Sequence, residues 1–176
     1  MRYIKTFENF DDNLHKAIKS SLKYHASDEF WEFVERIDWE NYDYNERPRR
    51  YDAQWVIPRV APIFSWEEFQ GFETEYKRLE SYVMMKFESV WLGDPGIEVS
   101  DDGWTDLVSS VIGYGKKWFL SIIMDDSGSK LRQQGNSDNY RENFSYIFHI
   151  LKFDDVDANR AEWNRIYNEN NVSENE

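Results

Sequence analysis

The chain has 176 residues and a formal charge of −13, from 34 Asp and Glu against 21 Lys and Arg, yet 18% of it is Phe, Trp or Tyr. The absence of cysteine excludes disulfides, thiolate metal sites and a cysteine nucleophile. The acid excess argues against binding DNA, RNA or an anionic membrane directly, because each requires Lys and Arg to replace condensed counterions.

Acidic chains poor in aromatics do not fold, but here 12 Phe, 8 Trp and 11 Tyr supply a core. In chain order, Phe7, Phe10, Leu14, Ile18 and Leu22 repeat at helical spacing and predict an amphipathic helix over 7–24. Ser27 reads as an N-cap, with Asp28 and Glu29 in the first turn and Phe30, Phe33, Val34 and Ile37 as the apolar face of a second helix. Residues 38–64, punctuated by Pro48, Pro58 and Pro62, read as a long irregular loop in which 51–60 is either a short helix or extended.

Ser65-Trp66-Glu67-Glu68 is a capping box, flanked by Phe64 and Phe69 at staple positions. The stripe Phe69, Phe72, Tyr76, Leu79, Val83, Phe87, Val90 predicts a helix to about Leu92, closed by Gly93 and Pro95. Ser100 to Gly103 opens a further helix over Trp104, Leu107, Val108, Val111 and Ile112, ended by Gly113 and Gly115. Trp118, Phe119, Ile122 and Ile123 mark a short helix, and residues 125–136 a turn-rich mobile loop. Tyr140 to Leu151 and Ala158 to Tyr167 supply the last two helical stripes. The expected fold is a single all-α domain of about six helices over 1–168, with a disordered tail at 169–176.

Four acid pairs, Asp11-Asp12, Asp101-Asp102, Asp125-Asp126 and Asp154-Asp155, invite a metal reading, but none has the alternating ligands and closing Glu of a calcium loop. Capping of helix amides is the better reading for Asp101 and Asp102. His15, His25 and His149 have no metal-ligand spacing. Gly113-Tyr114-Gly115-Lys116-Lys117 lacks the full pattern of a phosphate loop and reads as a turn between helices. Arg47-Pro48-Arg49-Arg50, with Tyr51 and Trp55, is the one basic cluster beside aromatics and reads as a loop paired with the chain's own acids, with a partner-facing hot spot as the alternative. Trp31, Trp39, Tyr42, Tyr44 and Trp66 fall off the apolar stripes and are expected at a protein interface.

A long acidic helix ending near Trp91, then Ser100-Asp101-Asp102-Gly103-Trp104, Gly113-Tyr114-Gly115-Lys116-Lys117 and Tyr140-Arg141-Glu142-Asn143-Phe144, resembles an uncharacterised family of small bacterial helical domains. The resemblance spans about half of the chain and implies no activity. The first ten residues resemble a leader of small bacteriophage proteins and imply a viral origin.

The expectation is a non-enzymatic, cytoplasmic interaction protein, without cofactor or metal, that binds and inhibits a basic, nucleic-acid-handling partner. Its expected partner surface is Glu67, Glu68, Glu73, Glu75, Glu80 and Glu88 on the long helix, with Asp101 and Asp102. The alternatives are an immunity-like domain that neutralises a toxin and a carboxylate- or metal-dependent hydrolase centred on Asp101 or Asp102.

Overall fold

Three serine caps set the starts of three helices. In the computed structural model, which describes residues 25–38, 52–93, 97, 99–135, 144–153 and 155–171, Ser27 Oγ accepts from Phe30 N–H and opens α1 (Asp28–Arg36). Ser65 opens α3 (Trp66–Trp91) through a complete capping box, its Oγ accepting from Glu68 N–H while the Glu68 carboxylate accepts from Ser65 N–H. Ser100 opens α4 (Asp101–Gly113) by accepting from Gly103 N–H. The remaining described helices are α2 (Asp52–Val60), α5 (Lys116–Ile123), α6 (Ser129–Gly135), α7 (Phe144–Phe153) and α8 (Val156–Asn171). The described structure is all helical, with eight helices in one compact arrangement.

α3, with 26 residues and roughly 39 Å long at 1.5 Å per residue, is the spine. Phe69, Phe72, Tyr76, Leu79, Val83, Phe87 and Val90 are all buried along it, as the periodicity predicts. α4 packs along α3, α5 and α7 pack on α4, and α2, α7 and α8 form a second packed group that meets α3 through α8. Rings fill the junction. Phe33 lies 5.0 Å from Phe72, Phe69 stacks on Phe148 at 5.5 Å, and Trp163 meets Trp66 edge-on at 5.4 Å. At the far end of the spine, Trp91 stacks on Trp104 with centroids 5.2 Å apart and planes within 4°.

Three expectations change, and one open alternative resolves to helix. Residues 52–60 are helical despite Pro58, because Trp55, Val56, Ile57 and Val60 are buried and tertiary burial outweighs the missing N–H. Trp55 Nε1 also donates to the Ile37 carbonyl at 2.7 Å, while Arg59 lies 3.3 Å over the Trp55 ring and donates to the Trp55 carbonyl. The turn-rich segment after Asp125 contains α6. Trp31 and Trp66 are buried, not interfacial, since α1 and α3 each bury a face wider than one stripe at these positions. α8 runs to Asn171, so 169–171 are helical. The helix expected over 7–24, the basic cluster 47–50 and Trp39, Tyr42 and Tyr44 lie outside the described residues.

The turn between α4 and α5 follows the sequence reading. Gly115 sits at φ +90, a backbone conformation that L side chains rarely adopt, and ends the α4 turn before α5 begins.

Candidate functional site

The eight carboxylates expected to form one surface fall into different environments. Around the α3 axis the solvent-facing ridge is Glu67, Gln70, Gly71, Thr74, Arg78, Ser81, Met85, Glu88 and Ser89, at helical spacing opposite the buried stripe. Only Glu67 and Glu88 among the expected acids stand on it. They are 21 residues apart, roughly 32 Å along the helix.

Two acids on the flanks of α3, Glu75 and Glu73, tie helices together, while Glu80 and Glu68 bond within α3 and its cap. Glu75 accepts from Ser27 N–H at 2.6 Å and Ser27 Oγ at 2.8 Å, so a carboxylate in the middle of α3 holds the start of α1. Glu73 accepts from Lys152 of α7 and forms an ion pair with Lys77 at 2.7 Å. Burial pushes the Glu73 carboxyl up, but the two lysines outweigh it and hold the group below the ordinary value. Glu80 accepts from the Tyr76 hydroxyl at 2.6 Å. Burial raises Glu80 above the ordinary carboxylate value, against the opposing effects of the Tyr76 hydrogen bond and Lys77. Tyr76 is itself raised, by burial first and by the charge of Glu80 second. Glu68 is engaged in the capping box.

Asp101 and Asp102 are exposed in the first turn of α4. The cap is Ser100, so the two carboxylates face the positive end of the helix without making the capping hydrogen bond. The Trp91–Trp104 stack brings the last turn of α3 against this first turn, one turn from Glu88 and one turn from Asp101. Leu92, 63% exposed, and the half-buried Trp91 stand beside them. Glu88 and Asp101 thus each lie one turn from a ring of the Trp91–Trp104 stack, Asp102 follows Asp101 in the exposed first turn of α4, and Glu67 lies at the other end of α3. Leu92 carried no signal in the sequence, because a residue at the helix end can equally be core or surface.

Asp125 is the most heavily bonded carboxylate described. It accepts from Ser127 N–H, Ser127 Oγ, Ser129 Oγ and Lys130 N–H. The Lys130 backbone bond and the Ser127 hydroxyl hold it well below the ordinary range. These bonds seed α6, whose Leu131 is buried and whose Gln134 donates to Ser110 Oγ at 2.6 Å and accepts from Trp118 Nε1 at 2.9 Å.

Among the described residues no group of three or more His, Cys, Asp or Glu is placed to hold a metal ion. None of the described helices is long and apolar enough to cross a membrane. Comparisons with protein-family models, curated proteins and solved structures gave no match.

Proposed function

We propose that this chain is an acidic, non-catalytic interaction domain that binds a basic protein partner, one whose cationic groove otherwise holds nucleic acid. The observation that carries this reading is the junction of α3 and α4. Exposed Glu88, Asp101 and Asp102, none with a cation partner among the described residues, lie on the two helix turns that carry the Trp91–Trp104 stack, and the exposed Leu92 follows the first of them. A protein interface combines an apolar centre with a charged rim in this way. Lys77, Lys86, Lys116, Lys152, Arg36, Arg78 and Arg165 are meanwhile held in internal ion pairs. The unpaired charge presented outward at this junction is negative, and it would steer a basic surface toward it. Inhibition follows if the carboxylates occupy the partner's phosphate-binding positions. The bacterial resemblance and the phage-like leader make a host nucleic-acid enzyme the favoured target.

The test is affinity capture from bacterial lysate, washed through a salt gradient, with duplex DNA as competitor. The expected captured proteins are basic, leave between low and physiological salt, and are displaced by DNA. E88Q/D101N/D102N should lose them, whereas Glu29, Glu35 and Glu67 all changed to Gln should retain most of the binding. Capture indifferent to salt, or equal for the two triple variants, would remove the reading.

A further inference from the structure

We propose that the outward face of α5, together with Lys130 of α6, is a docking surface for an acidic peptide segment bearing a bulky apolar side chain. The proposal does not depend on the role of the α3–α4 junction. Lys117, Ser121 and Met124 follow one another at i, i+4 and i+7, with Leu120 alongside, so they share one side of the helix. Met124 is 75% exposed, more than any other large apolar side chain described. With Leu120, Ser121, Asp125, Ser129 and Lys130 it lines an open depression of about 480 Å³. Being open to solvent, it would cover one side of a large side chain laid across it.

Two lysines give the depression a cationic edge. Lys77, Lys86, Lys116 and Lys152 each pair with a carboxylate. Lys117 and Lys130 are the two described lysines that do not, and both are exposed on this face. The Lys130 ammonium is held over the depression, 3.3 Å from both Ser121 O and Ser121 Oγ. Asp125, the single acid in the lining, has its two oxygens engaged by four donors of its own loop. Carboxylates of the incoming segment would meet the two ammonium groups while its apolar side chain covers Leu120 and Met124. An anionic bilayer fits less well, because the net charge of −13 opposes a whole anionic surface. A short peptide responds to the local cations, since screening confines their field to about 8 Å at physiological salt.

The chain contains four methionines, Met1, Met84, Met85 and Met124, so ¹³C-methyl labelling gives a small set of resonances that report by position. The whole chain is titrated with a synthetic peptide alternating Glu and Leu, and with its Gln-for-Glu counterpart. The expected result is a saturable shift of the Met124 methyl, no shift of Met84 or Met85, and no response to the Gln peptide. K117E/K130E should weaken binding about tenfold or more, equivalent to roughly 1.4 kcal/mol. K117Q/K130Q, a milder change, should weaken it less, with thermal melting unchanged in both. A silent Met124, equal binding of the two peptides, or full affinity in both lysine variants would overturn the proposal. So would a Met124 response confined to phosphatidylserine vesicles, or one produced by raising protein concentration alone, which would assign the face to a bilayer or to a second copy.

Discussion

The indole Nε1 of Trp163 donates to the backbone carbonyl of Phe64 at 2.7 Å, joining α8 to the residue before the N-cap of α3. Trp163 is fully buried against Trp66 and Phe69. Its ring therefore contributes apolar area, and its N–H satisfies a carbonyl that no helix bond reaches. Trp163→Phe keeps most of the packing but strands that carbonyl, at an expected loss of about 1–3 kcal/mol. Trp163→Ala should cost about 3–5 kcal/mol. Urea midpoints with an unchanged m-value check both, and a Phe variant as stable as the parent would show that the hydrogen bond contributes nothing.

Ser27 performs two tasks, capping α1 and binding Glu75. Ser27→Ala should cost about 1–2 kcal/mol, at the upper end of cap substitutions. Ser27→Ala and Glu75→Gln share one contact, so the double variant should be less destabilised than the sum of the singles, with a coupling of about 0.5–2 kcal/mol. Strict additivity in the cycle would mean that the two side chains act independently.

Glu73 and Glu80 lie seven residues apart on one helix and should respond to pH in opposite senses. Glu80 is raised in the folded state, chiefly by burial. Its contribution to stability is fully present below the unfolded carboxylate value and is lost as pH rises through its folded value. Glu80→Gln should therefore raise the denaturation midpoint at neutral pH. Glu73 is lowered, because Lys152 and Lys77 outweigh the effect of burial. Its contribution is present above the unfolded value and is lost as pH falls through the folded one, so Glu73→Gln should lower the neutral midpoint and converge with the parent in acid. Midpoints measured at a series of pH values separate the two.

Two glycines make a further contrast. Gly128 has φ +67, and a Cβ there would lie 2.6 Å from Val90 Cγ2. Gly128→Ala should cost about 1–3 kcal/mol through strain and overpacking. Gly71 is exposed inside α3, and a Cβ added to it would meet nothing within 4 Å. Gly71→Ala should stabilise by about 0.4–1 kcal/mol. Thermal melts that place the two changes on the same side of the parent would contradict this.

What the sequence revealed follows the range of each interaction. The caps at Ser27, Ser65 and Ser100 and the α3 stripe were legible because their partners lie within a few residues. α6 was not, since its Gly and Ser residues read as turn, while its support comes from Asp125 and from the distant Ser110 and Trp118. α2 was only half legible: Pro58 speaks against a helix, and the burial that overrides it is tertiary. The acids of α3 looked equivalent because composition does not distinguish a solvent-facing Glu88 from a Glu73 whose partner Lys152 lies 79 residues away. Trp31 and Trp66 read as exposed for a related reason, since a single helical stripe understates how wide a buried face becomes when several helices close over it.

The bonds made by Glu73 and Glu75 divide the chain's acidity into two populations that would drift differently over evolutionary time. Glu67, exposed and without a tie among the described residues, can become Gln or Ser at little cost to folding. Glu73 and Glu75 cannot, because each change would loosen a helix on the far side of the contact. A lineage could thus shed much of its surface charge, and with it a partner, while its scaffold persisted.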